Sequence, residues 1–115
     1  MNKRFEIILL EEVRVFLRSL EQKHYEKILY NIHKVQIKND PELFKKITDE
    51  IWEFRTIYEG LQYRLLSFWD KTSTKDTLVI STHGFVKKQR KVPEQEIKKA
   101  IQIKSKYFEK KQLNK

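Results

Sequence analysis

The stretch Ile51-Trp52-Glu53-Phe54-Arg55-Thr56-Ile57-Tyr58-Glu59-Gly60-Leu61-Gln62-Tyr63-Arg64-Leu65-Leu66-Ser67-Phe68-Trp69 decides the fold. Residues 51–57 alternate as a strand's two-residue period requires: Ile51, Glu53, Arg55 and Ile57 fall on one face, Trp52, Phe54 and Thr56 on the other. Glu59-Gly60 is a turn signal, and Leu61 to Trp69 reads as a second strand. Asp70 to Asp76 is polar and predicts a hairpin loop. Thr77 to His83 reads as a third strand. Three strands this close in sequence pair most economically as an antiparallel meander.

Upstream, Phe5 to Leu10 is apolar and β-branched and predicts a strand. Glu11 and Glu12 suit the first turn of a helix, where carboxylates meet the positive end of the dipole. Phe16, Leu17 and Leu20 share one helical face; Tyr25, Ile28, Leu29, Ile32 and Val35 form another stripe at helical spacing. The stripes join poorly across Glu21 to His24, which predicts two helices packed as a hairpin. Asn39-Asp40-Pro41 ends the second, because proline disfavours helix in the residue before it. Glu42 to Asp49 is ambiguous; Leu43, Phe44 and Ile47 fit one helical turn or an ordered loop. Downstream, Pro93 opens a last helix at its favoured first position. Ile97, Ala100, Ile101 and Phe108 give that helix one apolar face, and the tail after Lys110 is expected to fray. The expected order is strand, two helices, three-stranded antiparallel meander, helix. This is an α+β fold with helices covering a face of a twisted antiparallel sheet.

The 115 residues suit one domain over 1–115. With no cysteine, disulfide and thiolate chemistry are excluded, and the composition fits a reducing cytoplasm. Apolar runs such as Ile7-Ile8-Leu9-Leu10 are too short to span a bilayer, so no membrane partner is expected. The net charge is +9, and its placement is uneven. Met1 to Val86 carries 14 basic and 13 acidic residues, whereas Lys87 to Lys115 carries 11 basic and 3 acidic. A one-sided field of this kind attracts phosphates. The run Lys87-Lys88-Gln89-Arg90-Lys91, directly after the third strand, points to anion binding more than to plain solvation.

His24, His33 and His83 are isolated from one another in sequence and lack metal-site spacing, so no metal or cofactor is expected. Neither a phosphate-binding glycine loop nor a nucleophile elbow is present. What remains is a convergence of cations: Arg55, Arg64, then His83, Lys87, Lys88 and Arg90. Transesterification of RNA needs such a cluster when its own side chains do the work. The attacking hydroxyl must lose a proton, the phosphorane carries extra negative charge, and the leaving oxygen takes a proton. Each residue also has a plainer role. Arg55 can pair with Glu53 or Glu59; Arg64, in a half-buried strand, is costly without a partner. His83 fits a structural role as well as acid–base work. Trp52, Phe54, Phe68 and Trp69 read as core. Tyr63 and Phe85, beside the cations, are the better candidates for stacking on bases, with Arg55, Arg90 and Lys91 as RNA contacts.

Ile51-Trp52-Glu53-Phe54-Arg55, Gly60-Leu61-Gln62-Tyr63-Arg64, His83-Gly84-Phe85-Val86-Lys87-Lys88, and then Pro93, Glu96 and Ala100 resemble the phage-derived HigB-like group of the RelE/ParE toxin superfamily. The resemblance runs from Leu43 to about Ile101. It implies a microbial-ribonuclease-like fold and a type II toxin. Such a toxin cuts mRNA in the ribosomal A site without metal, contacts rRNA, and is neutralised by a cognate antitoxin through which alone it reaches operator DNA. By motif position the strand arginine falls on Arg64, and the basic residues after the last strand on Lys87 and Lys88, with Arg90 beside them. The tyrosine that RelE-type toxins use near the start of the C-terminal region has no counterpart in Val92-Pro93-Glu94-Gln95-Glu96. The general base is therefore left open among His83, Glu94 and a lysine of depressed pKa. Two alternatives keep the fold and change the function: a ParE-like toxin that binds DNA gyrase without nuclease activity, and a nucleic-acid-binding regulator.

Overall fold

The computed structural model describes residues 2–72 and 77–113. Strand β1 (Glu6–Leu9) leads into helices α1 (Glu11–Arg18) and α2 (Gln22–Ile37). Four strands follow, β2 (Phe44–Lys46), β3 (Trp52–Tyr58), β4 (Leu61–Asp70) and β5 (Leu78–Val86), and helix α3 (Glu94–Leu113) closes the chain. The sheet order is β1-β5-β4-β3-β2. The expected meander is β3-β4-β5, antiparallel throughout. Of the hairpin loop expected at Asp70 to Asp76, residues 73–76 lie outside the described residues.

Three features correct the sequence reading. The segment 42–49 contains a strand, neither the helical turn nor the ordered loop expected: β2 pairs Phe44 with Phe54 and Lys46 with Trp52 on the sheet edge. Three residues are too few to show a period, which is why the pattern misled. The sheet is mixed, because β1 runs parallel to β5. The helices also cover both faces. Val13 and Leu17 of α1 and Ile28, Ile32 and Val35 of α2 pack with Phe44, Phe54, Tyr63, Leu65 and Val79. Ala100, Ile97, Ile101 and Phe108 of α3 pack on the opposite face, against Leu66, Phe68 and Ile80. The β4 strand is buried on both sides, so its alternation is blurred into a near-continuous apolar run.

The β3–β4 hairpin turns through Glu59 and Gly60, at φ 48° and 80°. Positive φ at both central residues matches the right-handed twist of the flanking strands. Tyr58 therefore pairs with Leu61, and Arg55 stands opposite Arg64. Between β4 and β5 the register shifts: Ser67 pairs with Ser81, but Leu66 pairs with His83. Thr82 is the extra residue of a β-bulge. The Leu66 carbonyl accepts the Ser81 hydroxyl at 3.2 Å. Because side chains alternate, one inserted residue inverts the facing of everything beyond it. Before the bulge, Leu78 and Ile80 face α3; after it, His83, Phe85 and Lys87 do. Gly84 is thereby turned toward α1, where a Cβ would lie 2.5 Å from side-chain carbons of both Phe16 and Leu65.

The far end of α3 is fastened by a buried carboxylate. Asp70 accepts hydrogen bonds from Tyr107 at 2.5 Å and Lys111 at 2.6 Å. Burial alone would raise the Asp70 pKa, but the bonds from Lys111, Tyr107 and Thr72 outweigh it and hold the carboxyl well below the usual range. A depressed folded-state pKa contributes stability above the unfolded carboxyl pKa, lost as pH falls toward the folded value. Asp70→Asn is expected to destabilise the protein by about 2 kcal/mol at neutral pH, the scale of charge-assisted bonds. In urea melts the deficit should shrink as pH is lowered below the usual carboxylate range. A deficit that stays constant with pH would show that the charge is not what holds α3.

Candidate functional site

The face of the sheet toward α3 divides in two. Its apolar half lies under α3. Its other half carries Arg55 on β3, Gln62 and Arg64 on β4, and Phe85 and Lys87 on and just after β5. Lys87 continues the β4–β5 ladder, donating its N–H to the Gln62 carbonyl at 2.7 Å.

Arg55 and Arg64 are directly opposed across two strands. Like charges in that position repel, and Arg64 has no solvent-exposed surface at all. Glu53 offsets the repulsion by charge, although Glu53 Oε2, Arg55 Nε and Arg64 Nε are buried without a hydrogen-bond partner among the described residues. Its carboxylate is buried, with one oxygen 3.5 Å from Arg55 Nε and the other 3.5 Å from Arg64 Nε. Arg64 also donates to Gln62 Oε1 at 3.1 Å and to the Tyr63 carbonyl at 3.0 Å. Burial pushes the Arg64 pKa down and Glu53 pulls it back up, with Arg55 adding to the downward push. Lys87 joins the group. Its pKa is lowered first by burial, then by the guanidinium of Arg64; Glu53 opposes and Arg55 adds to the lowering. The result is one carboxylate among three cations, with Arg64 sealed beneath and Arg55 and Lys87 reaching toward solvent.

His83 belongs to a second group. It is buried, within 2.9 Å of the Thr82 hydroxyl through Nδ1 and 3.3 Å from Glu96 Oε1 through Nε2. The Thr82 hydroxyl also lies 3.2 Å from the Leu66 carbonyl, and a neutral ring satisfies both contacts when that hydroxyl gives its one proton to Nδ1 and Nε2 donates to Glu96. Burial lowers its pKa, as does Lys99, while Glu96 and Glu12 raise it. Lys99 in turn pairs with Glu12 of α1 at 3.3 Å. This group joins β5, α1 and the start of α3. Phe85 stacks on the His83 ring, centroids 5.9 Å apart, and lies between the two groups.

The remaining candidates separate. Tyr63 points the other way, to the face under α2, where it is buried and its hydroxyl shares a 2.7 Å hydrogen bond with His24 Nδ1. In this conformation it offers no surface for a base. Lys88, Arg90 and Lys91 are exposed on the segment between β5 and α3, and no ion pair holds them among the described residues. Glu53, missed as a partner of Arg64, was recoverable from the sequence. Alternation puts it on the Arg55 face, and a two-residue turn at Glu59-Gly60 sets Arg64 opposite Arg55.

The profile of phage-derived Gp49-like proteins (DUF891) matches residues 15–105, most of the chain. The chain belongs to the Gp49-like family. This family is associated with RelE/HigB-type toxins. The matched span takes in the end of α1, all of α2, the meander and most of α3, so every residue of both charged groups except Glu12 falls within it. A comparison with curated proteins found no match.

Breaking a buried pair from one side leaves an uncompensated charge. Glu53→Ala is therefore expected to cost about 3 kcal/mol in urea denaturation, and Arg64→Leu added to it should recover most of that loss. A single-variant cost below about 1 kcal/mol, the level of an exposed pair, would mean that Glu53 does not hold the arginines.

Proposed function

We propose that this Gp49-like protein is the toxin of a type II toxin–antitoxin pair and cuts mRNA on the ribosome by transesterification. The observation that supports this reading best is Lys87, half-buried beside the Arg55–Arg64–Glu53 group with the exposed run Lys88 to Lys91 following it. Phosphoryl chemistry at such a place has its parts in reach. The Lys87 amine, whose pKa is shifted in the direction that favours giving up its proton, is the group assigned to take the proton of the attacking 2′-hydroxyl. Arg55 meets the charge that develops on the phosphorane, and buried Arg64 adds its field from below. The bond from phosphorus to the 5′-oxygen breaks as the bond to the 2′-oxygen forms. The products are a 2′,3′-cyclic phosphate and a 5′-hydroxyl, the leaving oxygen drawing its proton from the Lys87 ammonium or water. Lys88, Arg90 and Lys91 hold the backbone of mRNA or rRNA, and Phe85 is the aromatic left to stack beside them.

His83 acts here as a structural group, since it faces Glu96 and Thr82 rather than the arginines. With no facing pair of free histidines, the protein leaves orientation of the message to the ribosome. The antitoxin is the partner that the family's toxin association suggests.

Induction of the chain in cells is expected to arrest growth and to leave mRNA fragments whose new 5′ ends are hydroxyls, phased to codons. Lys87→Met should lower cleavage by about a hundredfold or more, the scale of a lost general base, with a thermal melt no lower than that of the intact chain. Double-strand DNA breaks with intact mRNA would favour the gyrase-binding alternative. Vigorous cutting of naked RNA by the purified protein would contradict the dependence on the ribosome.

A further inference from the structure

The edge of the sheet at β3 is only half covered. β2 pairs with β3 from Trp52 to Phe54. One further bond, from the Arg55 N–H to the Leu43 carbonyl at 2.7 Å, ends the contact. β3 itself continues to Tyr58. In an antiparallel ladder, alternate residues turn both backbone groups to the same side. Arg55 turns its N–H outward, so Ile57, two residues on, turns its N–H and carbonyl outward as well. Among the described residues no hydrogen bond reaches either group. An edge left open in this way is a template for another strand.

The open edge borders a groove of about 540 Å³ between β3 and α2. Lys27 and Lys34 line it from the helix, and Arg55 and Ile57 from the strand. Ile57 is 64% exposed, in a seven-residue strand whose other residues are mostly covered. Asp40 and Glu42 line the groove too, beside Leu43, and Asp40 already accepts the Glu42 N–H at 3.0 Å. The groove thus offers an unpaired donor and acceptor, an apolar side chain, and cations along its helix wall. An RNA backbone has no apolar group to cover the isoleucine, and its ribose hydroxyls do not present the paired donor and acceptor that the Ile57 N–H and carbonyl call for. An extended peptide supplies both.

We propose that this groove receives an extended segment of a partner protein, which adds a strand to β3 at Ile57 with carboxylates facing Lys27 and Lys34 and an apolar side chain over Ile57. The partner's identity as the antitoxin rests on the toxin reading above; the mode of binding does not. This site lies on the opposite side of Arg55 from Lys87, so a strand seated here would also neutralise the edge of the cation group.

The test titrates a short acetylated and amidated peptide of alternating glutamate and valine into the isotope-labelled full chain. The Ile57 amide is expected to shift and to become protected from hydrogen exchange. Ile57→Pro removes that donor and breaks no bond seen among the described residues, as proline is tolerated on strand edges. It should weaken binding by roughly tenfold or more, about 1.4 kcal/mol. Lys27→Glu with Lys34→Glu, on the surface of α2, should weaken it comparably while leaving the melt unchanged. An Ile57 amide that stays unprotected at saturation, shifts confined to residues 87–91, or equal affinity in the charge-reversed variant would each overturn the proposal. RNA cleavage does not enter the readout, so loss of one reading leaves the other standing.

Discussion

Two arginines facing each other across a hairpin are a liability, and the candidate site is organised by how that liability is met. Arg55 and Arg64 are placed by the Glu59-Gly60 turn, which leaves the register no freedom. One of them is completely buried. Glu53 lies between them and is shared at equal distance. A triad with one anion and two cations keeps a net positive charge in a poorly solvated place, and Lys87 is added to the same neighbourhood. A hydrophobic replacement of the triad would serve stability as well or better. The charge of the triad, rather than any gain in stability, is what the proposed anion-handling role would use.

The second determinant is a single inserted residue. Without the bulge at Thr82, the alternation that places Leu78 and Ile80 toward α3 would continue through Gly84 and Val86. Lys87 and Phe85 would then face α1 and α2, and Lys88 would fall on the arginine side in place of Lys87. The same insertion turns Gly84 toward Phe16, where no other residue fits without displacement of neighbours. The bulge thus shapes the core on one face and the cation group on the other. It is accommodated by hydroxyls: those of Ser81 and Thr82 both reach the Leu66 carbonyl at 3.2 Å, and that of Thr82 also meets His83.

Much of this was legible in the chain itself. The meander, the break between the two N-terminal helices and the start of α3 after Pro93 follow from periodicity and punctuation. The parallel placement of β1 and the crossing of α3 to the opposite face were not legible, because both depend on contacts distant in sequence. Of the site, the opposition of Arg55 and Arg64 was within reach of pattern reasoning, but the facing of Lys87 was not, because it depends on the bulge at Thr82. The orientation of Tyr63 followed from the same alternation that placed Arg64, and adjacency to a cation in sequence obscured it: neighbours in a strand face opposite ways. The separation of His83 from the arginines needed knowledge of Glu96, which α3 brings beside it.

The central claim is that Glu53, the arginines and Lys87 form one electrostatic unit. Titration of the Lys87 side-chain amine by NMR, in the intact chain and in Glu53→Gln, tests it without reference to any activity. Burial and the two guanidiniums lower the Lys87 pKa while Glu53 opposes them. The midpoint should therefore lie below the ordinary lysine value, and removal of the carboxylate should move it lower still. A midpoint at the ordinary value, unmoved by Glu53→Gln, would show that Lys87 stands apart from the arginines and would contradict the account.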